Sequence, residues 1–133
     1  MEIETQKSTA PKKDSLLIVD DDAGIRDMLK LLFEVEDFFV HTAANGQEAL
    51  ELLAQIPPPC MILLDLMMPV MNGWEFLDAK KKLPKLASIP VVIVSAFNDE
   101  TKSSDVVKFV KKPADVDLLI EMASSFAKQT HQT

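Results

Sequence analysis

The chain has 133 residues, 47% of them hydrophobic and 26% charged, with only three glycines. That is the size and apolar content of one compact domain with its own core. Its 14 Lys and Arg against 21 Asp and Glu leave a net charge of −7, which disfavours direct nucleic-acid binding because phosphate backbones demand clustered positive charge. The apolar runs are too short to cross a bilayer, which takes roughly 20 residues in a helix. Residues 1–13 hold no apolar core segment of the signal-peptide kind, and a single cysteine, Cys60, excludes an internal disulfide framework. These features predict an acidic, cytoplasmic single domain with no membrane partner.

Residues 1–13 are polar, mixed in charge and interrupted by Pro11, and read as a flexible tail. Leu16-Leu17-Ile18-Val19 is a continuous apolar run, as a strand buried on both faces requires, and it stops at Asp20-Asp21-Asp22. Ile25, Met28, Leu29 and Leu32, with Val35, then recur at helical spacing. Residues 38–43 are a second strand candidate. Asn45-Gly46-Gln47-Glu48 resembles a capping box, and Ala49, Leu52, Leu53 and Ile56 supply the buried face of a second helix ended by three prolines. A third strand at 60–64 closes on Asp65. Asn72-Gly73-Trp74-Glu75 opens a third helix running to about Leu83, with Trp74 and Phe76 as packing groups. Val91-Val92-Ile93-Val94 is a fourth strand followed by Ser95, and 106–110 a fifth ending near Lys112. A last helix from near Asp115 buries Leu119, Met122, Ala123 and Phe126.

Five strands alternating with helices predict an α/β fold, a parallel sheet covered on both faces. In such sheets the site is built beyond the carboxyl ends of the strands. Asp20-Asp21-Asp22, Asp65, Ser95 and Lys112 all follow strands, so the topology gathers them at one edge. Carboxylates crowded together stay ionised only if a divalent cation or a lysine compensates them. With oxygen ligands and no nearby His or Cys, the metal expected is hard, and Mg2+ fits best. A carboxylate beside Mg2+ can act as nucleophile toward a phosphoryl group, and a lysine and a hydroxyl can hold its remaining oxygens.

Over residues 15–129 the sequence resembles a response-regulator receiver domain. The resemblance rests on Leu16-Leu17-Ile18-Val19-Asp20-Asp21-Asp22, on Leu63-Leu64-Asp65-Leu66-Met67-Met68-Pro69-Val70-Met71-Asn72-Gly73, on Val92-Ile93-Val94-Ser95-Ala96 and on Lys112-Pro113. It implies a flavodoxin-like, doubly wound five-stranded sheet in the order 2-1-3-4-5. It further implies that Asp65 accepts phosphate from the phosphohistidine of a sensor histidine kinase or phosphotransfer protein. Mg2+ would be held by Asp20, Asp21, Asp65 and the backbone carbonyl of Met67, with Asp20 acting mainly through water. Ser95 matches the switch hydroxyl, Lys112 the phosphoryl-contacting lysine and Phe109 the switch aromatic. Met67 and Phe97 match the two places that control dephosphorylation, and the bond between Lys112 and Pro113 is expected to be cis. One departure stands out: only 17 positions separate Ser95 from Lys112, and residues 98–105 contain no apolar side chain. The fourth helix of the family is therefore expected to be shortened or irregular here.

Other features read as structural. Asp22 is expected to cap a helix, Lys80-Lys81-Lys82 with Lys85 to form a solvated helix face, Cys60 to be a small buried group, and His41 to be a strand residue. Two rival functions remain: a pseudo-receiver that ignores phosphate, and a haloacid-dehalogenase-type phosphatase built on Asp20 and Asp22, which the aspartate carrying phosphate would distinguish. The expected organisation is a tail at 1–13, a receiver domain at 14–129 and a tail at 130–133. The expected function is that of a stand-alone phospho-acceptor in a two-component system or phosphorelay, not a metabolic enzyme. It would signal to a downstream protein target by protein–protein contact, with phosphorylation-dependent homodimerisation left open.

Overall fold

The computed structural model describes residues 14–96 and 105–131. The expected N-terminal tail lies outside these residues, as do Phe97 and all of the expected shortened fourth helix except Asp105. In chain order the elements are β1 (Ser15–Val19), α1 (Ala23–Val35), β2 (Phe39–Ala43), α2 (Gly46–Leu53), β3 (Met61–Leu64), α3 (Gly73–Lys81), β4 (Val91–Ser95), β5 (Val106–Lys111) and α4 (Val116–His131). The last helix runs two residues into the expected C-terminal tail.

The strands form one parallel sheet in the order β2-β1-β3-β4-β5. Successive strand residues point to opposite faces, and the core divides accordingly. Leu16 and Ile18 of β1, with Leu63, Val92 and Val94, pack under α1 and α4, where Leu29, Phe33, Leu119 and Ala123 meet them. Leu17 and Val19, with Ile62, Leu64, Val91 and Ile93, pack under α2 and α3 against Ala49, Leu53, Phe76 and Leu77. β1, β3 and β4 are sandwiched between the layers, which is why they read as unbroken apolar runs. The edge strands β2 and β5 have mixed burial.

Two expectations change. The inward stripe of α1 is Ile25, Leu29 and Phe33, whereas Met28 and Val35 are exposed together with Leu31. The helix carries more apolar residues than one face holds, and packing selects those at i, i+4 and i+8. Lys80 is not solvated: it is fully buried, with its Nζ 2.5 Å from Asp105 Oδ2 and 3.1 Å from the Ala87 carbonyl. Only the tertiary fold brings Asp105, 25 positions away, to meet it.

Candidate phosphoryl and metal site

The site lies where β1, β3 and β5 end. Asp20 directly follows β1; its amide donates to the Ala43 carbonyl (3.1 Å), its Oδ1 accepts from the Asp22 amide (2.9 Å), and its carbonyl accepts from Arg26 Nη1 (2.7 Å). Asp65 follows β3, and its amide donates to the Val19 carbonyl at 2.9 Å. Because β1 and β3 are neighbours, these two carboxylates lie side by side. The Asp20, Asp21 and Asp65 carboxylates each offer an oxygen within 4.8 Å of the others. Asp20 and Asp65 are nearly buried, at 4% and 7% exposure, while Asp21 opens to solvent.

Lys112 follows β5 and reaches into the cluster, its Nζ 2.8 Å from Asp20 Oδ2 and 3.4 Å from Asp65 Oδ2. Its amide donates to the Ser95 carbonyl at 2.9 Å, so the end of β5 is tied to the end of β4, where Ser95 is buried. The bond between Lys112 and Pro113 is cis. Burial pushes the Asp65 carboxyl above its ordinary value and the Asp20 charge pushes it further, with Lys112 pulling the other way. Burial by itself lowers the Lys112 ammonium, but Asp20 and then Asp65 more than reverse this and leave it raised. Among the described residues, one ammonium beside three carboxylates leaves the cluster negative. An oxygen-only donor set of this kind suits a hard divalent cation such as Mg2+.

The segment after Asp65 is held closely. Gly73 donates to the Leu66 carbonyl at 2.9 Å, and a Cβ at Gly73 would lie 2.6 Å from the Asp65 carbonyl oxygen and 2.8 Å from Leu66 Cα. Asn72 and Glu75 form a capping box at the start of α3. Val70, 79% exposed, has φ of 69°, in the left-handed region that a β-branched residue rarely occupies. Asp22 caps α1 as expected, its Oδ1 accepting from the Ile25 amide at 3.1 Å. Of the remaining predicted residues, Met67 is half exposed in this loop. Phe109 lies in β5 opposite Ile93 and packs on the α2–α3 side of the sheet. Phe97 falls outside the described residues. Sequence reasoning missed Arg26, which holds the Asp20 backbone, because no local pattern announces that bond.

Comparison with known proteins agrees with this geometry. Residues 16–124 match the family model described as response regulator receiver domain. The transcriptional regulatory protein SrrA of Staphylococcus aureus is 43% identical over 86 residues, which cover 65% of this chain and 34% of that protein. The chain thus spans about a third of the curated relative it matches. Among solved structures, the receiver domain of Francisella response regulator 1452 aligns with a TM-score of 0.78 at 29% identity, covering 88% of this chain and 98% of that one. A CheY-like receiver domain protein from Methanospirillum hungatei JF-1 aligns at 0.77 and 28% identity, covering 91% and 99%. The chain belongs to the response regulator receiver domain family, a signalling module of two-component systems.

Proposed function

We propose that Asp65 is the phospho-acceptor, taking a phosphoryl group from a phosphohistidine on a sensor histidine kinase or phosphotransfer protein in the cytoplasm. An Asp65 carboxylate oxygen attacks phosphorus, the P–N bond breaks, and the departing imidazole keeps its electron pair and takes a proton. The product is an acyl phosphate on Asp65. The observation that carries this reading is the meeting of Asp20, Asp21, Asp65 and Lys112 at one sheet edge, within the distances given above.

Mg2+ held by Asp20, Asp21, Asp65 and the Met67 carbonyl would offset the repulsion between these carboxylates and an incoming phosphoryl group. Lys112 stabilises charge on the phosphoryl oxygens, and Ser95 and Phe109 serve as the responding hydroxyl and aromatic ring. Met67 and Phe97 restrict the water that would hydrolyse the acyl phosphate, since a misplaced nucleophile costs rate steeply. The signal leaves by contact with a downstream protein.

Incubation with acetyl phosphate, followed by intact-mass measurement, tests this. Labelling of one site, dependent on Mg2+ and lost in Asp65→Asn while the fold persists, is the expected result. Stoichiometric labelling of Asp65→Asn, or labelling at Asp20, would overturn it.

A further inference from the structure

At the end of the sheet away from the acidic cluster, a groove of about 250 Å3 opens between the last turn of α2 and the segment after α3. Leu50, Leu53, Ala54, Leu83, Lys85 and Leu86 line it. Both helices begin near the site, where Gly46 and Gly73 bond to the carbonyls of Met71 and Leu66, and both run toward the groove. Its volume falls below the roughly 300–1,000 Å3 of small-molecule pockets. That is room for apolar side chains presented by a larger partner.

The lip is charged against the trend of the molecule. The chain carries a net charge of −7, yet Lys85 lines the groove, and Lys81 and Lys82 are exposed in the two positions before Leu83, a lining residue that is itself 43% exposed. Asp78 offsets Lys81 only weakly, at 4.0 Å between two largely exposed side chains. The lip is also rigid. Buried Lys80 donates to the Ala87 carbonyl, and the Leu86 and Ala87 amides both donate to the Leu83 carbonyl. The turn is therefore set before anything binds, which lowers the entropy cost of association.

We propose that this groove docks an acidic amphipathic helix of a partner protein, its apolar side chains seated between α2 and the turn and its carboxylates facing Lys81, Lys82 and Lys85. The charge pattern selects the partner, because an acidic helix meets repulsion from the molecule as a whole and attraction at this lip. The inference is independent of the phosphoryl chemistry at Asp65.

Two synthetic peptides with leucines at i, i+3, i+4 and i+7, one carrying glutamates elsewhere and the other lysines, test it by NMR titration of the full chain. The glutamate peptide is expected to shift amides at 50–54 and 81–87, with binding that weakens as salt rises. Lys82→Glu with Lys85→Glu should weaken it about tenfold, or about 1.4 kcal/mol, and improve binding of the lysine peptide. Ala54→Arg, on an exposed position, should block the groove while circular dichroism stays unchanged. Equal binding of both peptides, absence of binding, shifts elsewhere, or indifference to Ala54→Arg would each overturn the proposal. So would concentration-dependent dimerisation through these amides, or movement of the same amides on deleting residues 1–13, since either assigns the groove another occupant.

Discussion

The Lys112 ammonium lies 2.8 Å from the Asp20 carboxylate, a contact between residues 92 positions apart. The same Nζ is 3.4 Å from Asp65, so one lysine partly compensates two nearly buried carboxylates. Lys112→Met should cost roughly 1–3 kcal/mol at neutral pH, because buried acceptors lose a charged partner. The Lys112 pKa is raised in the fold, so its contribution is complete below the ordinary value of 10.5 and is lost as pH rises through the higher folded value. Added Mg2+ should raise the melting temperature of the variant more than that of the parent, since a bound cation also compensates the carboxylates. Equal shifts by differential scanning fluorimetry would contradict this account.

The raised Asp65 pKa has the opposite sign for stability. Between the ordinary value of 3.8 and the raised folded one, the native state binds more protons than the unfolded chain, so stability falls as pH rises through that window. Without divalent cations at pH 7, Asp65→Asn should therefore be more stable than the parent and melt at a higher temperature. Urea melts should show the gap closing below the ordinary carboxylate value and narrowing with Mg2+. A variant less stable than the parent at neutral pH would refute the burden assigned to this carboxylate.

Gly73→Ala should be strongly destabilising, by roughly 1–3 kcal/mol or more, because its Cβ would collide with the backbone of Asp65 and Leu66 and force that segment aside. Phosphorylation by acetyl phosphate should slow more than stability alone explains. Gly46→Ala is the control: its Cβ chiefly meets the flexible Met71 side chain, at 2.7 Å from Cγ and 2.9 Å from Sδ, and should cost less. Equal losses in denaturant titrations would show that the backbone contact at Gly73 has no special weight.

Asp22→Ala removes the cap of α1 and should cost about 1 kcal/mol. Asp22→Ser should recover most of this. Mg2+ affinity, followed by Trp74 fluorescence, should change little in either variant but fall in Asp21→Ala. A loss of affinity in Asp22→Ala matching that in Asp21→Ala would assign Asp22 to the metal instead.

The strand positions and the edge at which the polar residues gather were legible because their signals are local, whereas the sheet order came from the resemblance. Buried strands read as apolar runs, and the polar residue that ends each run stands at a fixed place beyond the strand. Asp20, Asp65, Ser95 and Lys112 could therefore be assigned to one edge from strand periodicity and the resemblance, and the Asp22 cap from its place before an amphipathic stretch. What lay beyond the sequence depended on distant partners. Lys80 looks like its neighbours Lys81 and Lys82, and only the arrival of Asp105 and the Ala87 carbonyl makes its burial tolerable. Asp20 and Asp21 carry equal local signals, yet β1 and the Ala43 carbonyl hold Asp20 inside while Asp21 meets solvent. Likewise, the apolar excess of α1 could not say which residues turn inward. That choice belongs to the sheet beneath it, because burial is a property of what covers a side chain.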